Sequence, residues 1–213
     1  MKIKFKTVKE IFEKITLDGR GFNKNAEICL CTHNDEDHED VEVKKLFIPF
    51  TFKYTETFNQ HKKYLNKRGI ETPSFSDDFK EIAEGIYVRE TSLKGVHAPP
   101  VELKYQDYRI LVIGDLDIGD IPKIYYYVKK RFSKIHAVIL PYYGLVKPPA
   151  HGVRSKKELH REVEKLARDI TRDFKIKVFF FQHFTKLPRN IYGRINSRLI
   201  PRVHKTLKDI KVP

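Results

Sequence analysis

An α/β fold is predicted for this chain, on three observations. Short runs of apolar, β-forming residues recur at 28–31, 109–113, 137–141 and 178–181. Segments with apolar residues at helical spacing lie between the later runs, at 121–132 and 155–174. Each apolar run stops abruptly in His, Asp or Tyr, a pattern expected when several polar side chains collect at one edge of a sheet. With 213 residues the chain is long enough to bury a sizeable core. It is read as one domain over 1–213, with 189–213 as a basic amphipathic C-terminal extension.

Taken in order, Lys2 to Lys6 reads as a first strand, and Val8, Ile11, Phe12 and Ile15 as one face of a helix. Asp18-Gly19-Arg20-Gly21 is a turn. Glu27 to Thr32 is a strand, and Val43 to Phe52 a second one running into Pro49. A helix around Phe58 to Lys67 stops at Gly69. Asp77 to Ala83 reads as a short helix. Gly85-Ile86-Tyr87-Val88 leads towards His97, and Val101 to Tyr105 alternates as a strand, with Gln106-Asp107-Tyr108 turning a hairpin. Arg109 to Ile113 is a buried strand ending in Gly114-Asp115-Leu116-Asp117. Ile121 to Phe132 is a helix, Ala137 to Pro141 a core strand, Ser155 to Phe174 a charged helix, and Val178 to Phe181 a strand ending in Gln182-His183. Beyond Arg189, the residues Ile191, Ile195, Leu199, Val203 and Leu207 recur at helical spacing beside Arg194, Arg198 and Arg202. Pro201 interrupts that stripe.

Charged residues form 33% of the chain and the formal net charge is +14, a field that attracts phosphate-rich partners, whether nucleic acid or small anions. The same composition, with two Cys, one Met and no Trp, is also that of a thermophile's ion-paired surface. Cys29 and Cys31 alternate with apolar residues in one strand, so they are expected to be two small core side chains without the geometry to bond to each other. No segment has the length of a membrane span or the form of a signal peptide, which makes the cytoplasm the expected compartment, with no membrane partner.

The most informative segment is Thr32-His33-Asn34-Asp35-Glu36-Asp37-His38, directly after Ile28-Cys29-Leu30-Cys31. A strand that ends in alternating imidazoles and carboxylates projects several donors for a divalent cation from one short loop. That loop resembles the His-x-His-x-Asp-His signature of the metallo-β-lactamase fold, and later elements follow in that family's order: His97 before a hairpin, Gly114-Asp115 after a strand, His183 closing a late strand. The likeness covers about residues 26 to 187. It is strongest to the branch containing ascorbate-6-phosphate lactonase, in which Thr-His opens the motif and a further Asp, here Asp40, trails it. The resemblance implies an αββα sandwich of metallo-β-lactamase type. Only a short segment precedes the motif strand, so the N-terminal half of that sandwich is expected to be shortened, with an exposed edge that a second copy covers in a homo-oligomer.

Carried over by position, the resemblance implies one metal on His33, Asp35 and His97, and a second on Asp37, His38 and His183, with Asp115 bridging. One or two divalent ions held this way supply a metal-bound hydroxide for attack on an ester, lactone, amide or phosphoryl centre. Asp37 would also orient that water or take its proton. Asp35 stands where the family has a second His. This extra oxygen donor tilts the preference from zinc towards manganese, iron or magnesium, or leaves a single metal. Tyr142 and Tyr143 follow the strand that ends at Pro141, where a phenol would hydrogen-bond the attacked centre or a substrate oxygen. Lys147, His151 and Arg154, with Lys186 and Arg189, suit an anionic substrate.

Plainer alternatives stand beside each assignment: a solvated acidic loop at 33–38, a loop histidine at 97, a turn-shaping Asp115, a buried His183, and ring packing by the two tyrosines. His61, His136, His160 and His204 have no motif support and are expected at the surface. Three functions follow from different classes. They are a metal-dependent hydrolase of an anionic small molecule or phosphodiester, a nuclease or RNA-processing enzyme of the same fold, and a non-catalytic nucleic-acid-binding protein with a degenerate metal site.

Overall fold

The structure, a computed structural model, describes residues 5–18, 26–33, 43–50, 56–91, 93–96, 98–116, 118–141, 156–175 and 179–182. The architecture is mixed α/β, as predicted, and the contacts divide it into two compact units.

The first unit draws on Met1–Ser92 and Pro100–Tyr108. Helix α1 (Phe5–Lys14) runs directly into β1 (Ile15–Leu17), which is followed by β2 (Ile28–Leu30), β3 (Lys45–Pro49), α2 (Glu56–Lys67) and β4 (Ser74–Phe75). The four strands form one parallel sheet in the order β1-β2-β3-β4, with Leu17 beside Leu30, Leu30 beside Phe47, and Pro49 beside Phe75. Cys29, Cys31, Leu46 and Ile48 cluster with Leu65 of α2 and with Ile70. Neither cysteine is in a disulfide and both are fully buried, as expected of core side chains. Gly69 ends α2 with φ +72°, the left-handed residue that a helix terminus favours, and Ile70 N–H then caps Leu65 C=O at 3.1 Å.

The same unit holds an antiparallel ladder of β5 (Lys80–Ala83), β6 (Ile86–Glu90) and β7 (Val101–Tyr105). Along β6 burial alternates, with Ile86, Val88 and Glu90 inside and Tyr87 exposed between them. A cross-link from Lys14 Nζ to Glu84 Oε2 at 3.0 Å ties the end of α1 to the β5–β6 turn.

Three expected elements differ here. The strand expected at Lys2–Lys6 is helical from Phe5 onward, and residues 2–4 lie outside the described set. Phe5 stands three positions before Val8 and seven before Phe12, so it extends the helical stripe that the alternation of Lys4 and Lys6 obscures. The short helix expected at Asp77–Ala83 is instead strand from Lys80. Glu84 and Gly85, the latter at φ +70°, make a two-residue turn that folds the segment back onto β6. Ile15, read as the last residue of a helical face, is instead the first residue of strand β1.

The second unit draws on Leu93–Pro99 and Arg109–Lys211. It contains β8 (Tyr108–Val112) beyond its first residue, a short 3₁₀ turn at Ile118–Asp120, α3 (Ile121–Arg131), β9 (Ala137–Pro141), α4 (Lys156–Phe174) and β10 (Phe179–Gln182). The three strands are parallel, with Val112 beside Ile139 and Leu140 beside Phe181. Ile121, Ile124 and Val128 of α3 and Val163, Leu166, Ala167 and Ile170 of α4 repeat at helical spacing and share one core with Leu111, Val138 and Leu140.

A polar junction closes the α3–α4 contact. Tyr125 donates its hydroxyl to Asp173 Oδ2 at 2.6 Å, Arg172 Nε reaches Oδ1 at 3.0 Å, and Lys129 Nζ lies 3.3 Å from Oδ2. The Tyr125 hydroxyl first, then Arg172, hold the Asp173 carboxyl down from 3.8 to about 2. A depressed folded-state value means that the ionised group stabilises fully above its unfolded pKa and loses that effect as pH falls from 3.8 towards 2. Asp173→Asn is therefore expected to be less stable than wild type at neutral pH, with the gap closing across that acid window. Urea midpoints measured along a pH series check it, and a gap that is absent at neutral pH, or constant into acid, would exclude this role.

Candidate metal centre

All four strands of the first unit's sheet are parallel, so their carboxyl ends share one edge, the side on which open parallel sheets bind ligands. Strand β2 delivers Cys31, Thr32 and His33 to that edge, and Cys31 N–H continues the ladder to Phe47 C=O at 2.9 Å. The His33 ring is 2% exposed. Its Nδ1 lies 3.0 Å from Thr32 Oγ1. Thr32 is in turn gripped by Asp18, which follows β1: Thr32 N–H donates to Asp18 Oδ1 at 2.7 Å and Thr32 Oγ1–H to Asp18 Oδ2 at 2.9 Å. Asp18 has φ +39°, a left-handed conformation that Asp and Asn tolerate better than most side chains. Its own N–H is anchored on Leu30 C=O at 3.0 Å.

In the second unit, β8 ends in Ile113-Gly114-Asp115, where Ile113 N–H bonds Ile139 C=O at 2.9 Å. Asp115 is a buried carboxylate at the carboxyl end of a parallel strand. The segment 93–96, which leads in sequence to His97, is held within the same unit. Lys123 Nζ donates to Gly95 C=O at 2.7 Å, while Leu93 and Val96 rest on the α3–α4 core.

Of the residues singled out from the sequence, His33 and Asp115 are described, the first in one unit and the second in the other. Asp35, Asp37, His38, His97, Tyr142, Tyr143, Lys147, His151, Arg154 and His183 lie outside the described residues, as does the basic tail from 189. Tyr142 and His183 are the residues that follow β9 and β10 in sequence. Among the described residues, no three or more His, Cys, Asp and Glu side chains gather as a metal-holding group.

His33 and Asp115, each taken within its own unit, are donor types that a divalent cation accepts. A buried imidazole with one nitrogen engaged on an oxygen of its surroundings is the usual arrangement of a metal-ligating histidine. A buried carboxylate at a strand end, as Asp115 is in its unit, is a hard donor of the kind a divalent cation takes.

Sequence reading missed Asp18, taken only as part of a turn. The available signal is the Asp-Gly pair that closes the strand next to the motif strand, but β1 is three residues long and its first, Ile15, falls on the helical face of the preceding segment. His136 is also more than the surface residue expected. It is half-buried, and its Nδ1 accepts the Arg109 N–H at 3.0 Å, holding the start of β9 against β8.

No family model matches the chain, and no curated protein matches it. Among solved structures it is similar to a mutant of the β-hydroxylase CmlA, at 12% identity over 74% of this chain and 36% of that one, with a TM-score of 0.49. It is similar to zinc-bound PqqB from Methylobacterium extorquens at 12% identity over 55% and 47% of the two chains, with a TM-score of 0.40. A Thermotoga maritima protein described as a zinc-dependent hydrolase of the metallo-β-lactamase superfamily matches at 12% identity over 85% and 75%, with a TM-score of 0.43. The chain spans less than half the length of the first two. No described helix is long and apolar enough to cross a membrane.

Proposed function

We propose that this chain is a metal-dependent hydrolase of metallo-β-lactamase type, of the ascorbate-6-phosphate lactonase-like branch, acting on an ester, lactone or phosphodiester of an anionic substrate. The observation that carries the reading is His33, a buried imidazole at the carboxyl end of a parallel strand whose Nδ1 is already engaged on Thr32. Such a ring presents its other nitrogen as a ligand.

In this reading His33, Asp35 and His97, and Asp37, His38 and His183, would supply ligands for one or two divalent ions, with Asp115 as a further carboxylate ligand. The bound cations supply Lewis acidity and a water acidic enough to ionise near neutral pH. Asp37 orients the attacking water and accepts its proton. Tyr142 donates its phenol to the oxygen of the attacked centre. Tyr143, Lys147, His151 and Arg154 hold the anionic part of the substrate, in keeping with the net charge of +14.

Elemental analysis of protein purified without chelator tests the reading. The expected result is near-stoichiometric zinc, manganese or iron, since such a site gains its affinity from folded ligands. Less than about a tenth of an equivalent after reconstitution would sink it. Asp35→His is expected to raise zinc affinity relative to manganese by exchanging a hard oxygen for imidazole. An unchanged preference would remove Asp35 from the ligand set. Binding of single-stranded RNA that weakens steeply with salt would move the substrate from a small molecule to nucleic acid.

A further inference from the structure

We infer that Asp18 and Thr32 are positioning residues that lock His33 in its Nδ1–H tautomer, leaving Nε2 as the nitrogen that faces a metal. The inference rests on the reading of His33 as a ligand, but its first test does not need a metal.

The argument is one of proton counting. Thr32 Oγ1 sits between two partners, Asp18 Oδ2 at 2.9 Å and His33 Nδ1 at 3.0 Å, and a hydroxyl has one proton to give. An ionised carboxylate only accepts, so that proton belongs to the Asp18 contact; turned the other way, two oxygen lone-pair regions would face each other across 2.9 Å. The Asp18 carboxylate has no freedom to turn aside, because its other oxygen accepts the Thr32 backbone N–H at 2.7 Å. The Thr32 oxygen is left as an acceptor towards His33, and Nδ1 must therefore carry the hydrogen. The lone pair of the neutral ring then lies on Nε2.

Strand pairing builds the arrangement. Leu17 sits beside Leu30 in the parallel β1–β2 register, so the residue after β1 and the residues after β2 emerge side by side. The left-handed turn at Asp18 swings its carboxylate across to Thr32. Thr32 and His33 are buried to 0% and 2% exposure, so bulk water does not compete for the relay.

The test is a long-range ¹H–¹⁵N correlation spectrum of chelator-treated protein labelled in histidine, at mildly alkaline pH, with His33 identified by its absence from His33→Gln. Wild type is expected to show His33 as Nδ1–H. Asp18→Asn keeps the size and the left-handed conformation, but Thr32 N–H still needs the amide oxygen, so the amide NH₂ must face Thr32 Oγ1. The threonine hydroxyl then donates to His33 Nδ1 and the tautomer inverts to Nε2–H. Thr32→Ser preserves the wild-type signal, and Thr32→Val loses the preference for Nδ1–H. In zinc titrations Asp18→Asn and Thr32→Val are expected to bind roughly 10–100-fold more weakly, as outer-shell changes do. An Nε2–H signal in wild type, or an Nδ1–H signal unmoved by both Asp18→Asn and Thr32→Val, would overturn the relay. A wild type that shows the relay yet takes up no zinc or manganese would instead overturn the metal reading alone.

Discussion

His33→Ala and Asp115→Asn are each expected to weaken binding of zinc or manganese by more than about a hundredfold, beyond the 10–100-fold typical of outer-shell changes. In the proposed site both are direct donors, and losing one removes both a bond and the charge or lone pair that draws the cation out of water. His33 is enclosed at the end of β2 and anchored through Thr32. Asp115→Asn keeps the size of a buried side chain while removing its charge, so a drop in affinity without a drop in stability separates ligation from packing. Competition against a chromophoric chelator gives the affinities, and thermal melting of the metal-free proteins gives the control. An affinity within threefold or so of wild type for either variant would take that residue out of the metal site.

Arg89→Met is expected to cost about 3–5 kcal/mol, the typical result of leaving one charge of a buried pair behind. Arg89 and Glu102 stand directly opposite each other in the β6–β7 register. Nε and Nη2 of the guanidinium both reach Glu102 Oε2 at 2.6 Å. The Glu102 side chain is 1% exposed and Arg89 20%, so water can do little to replace the guanidinium. Phe79 lies beneath it, with the ring centroid 4.5 Å from Cζ, adding a cation–π contact that methionine keeps only as apolar packing. Adding Glu102→Leu to Arg89→Met is expected to restore much of the loss, since two apolar side chains often pair as well as the ions they replace. Chemical denaturation followed by circular dichroism measures all four members of the cycle. A cost below about 1 kcal/mol for Arg89→Met would mean the pair behaves as a surface ion pair.

Much of the fold is legible in local pattern. The helices α2, α3 and α4 and the strands β7, β8 and β9 follow from apolar spacing, and the stop at Gly69 from its freedom to adopt positive φ. The failures are equally local in origin. Lys2 to Lys6 alternates like a strand, yet Phe5 and Lys6 are the first residues of helix α1. Lys80–Ala83 is too short for periodicity to decide, and pairing with β6 made it a strand. Ile15–Leu17 became a strand because β2 lies alongside it.

For function, the sequence by itself determined the chemistry on offer: two imidazoles and three carboxylates following an apolar strand, at 32–38, and Asp115 following another. Adjacency along the chain is enough to place a side chain at a strand end. Tertiary structure decided which partners the side chains meet. Asp18 meets Thr32 across fourteen residues because β1 and β2 pair in parallel with Leu17 beside Leu30. Arg89 meets Glu102 across thirteen because β6 and β7 pair antiparallel. Tyr125 meets Asp173 across forty-eight because two helices pack on one core. Periodicity reports the face on which a residue lies. The partner waiting there is set by register and packing between segments that are distant in sequence, and the direction of a proton along Asp18, Thr32 and His33 exists only once those segments have met.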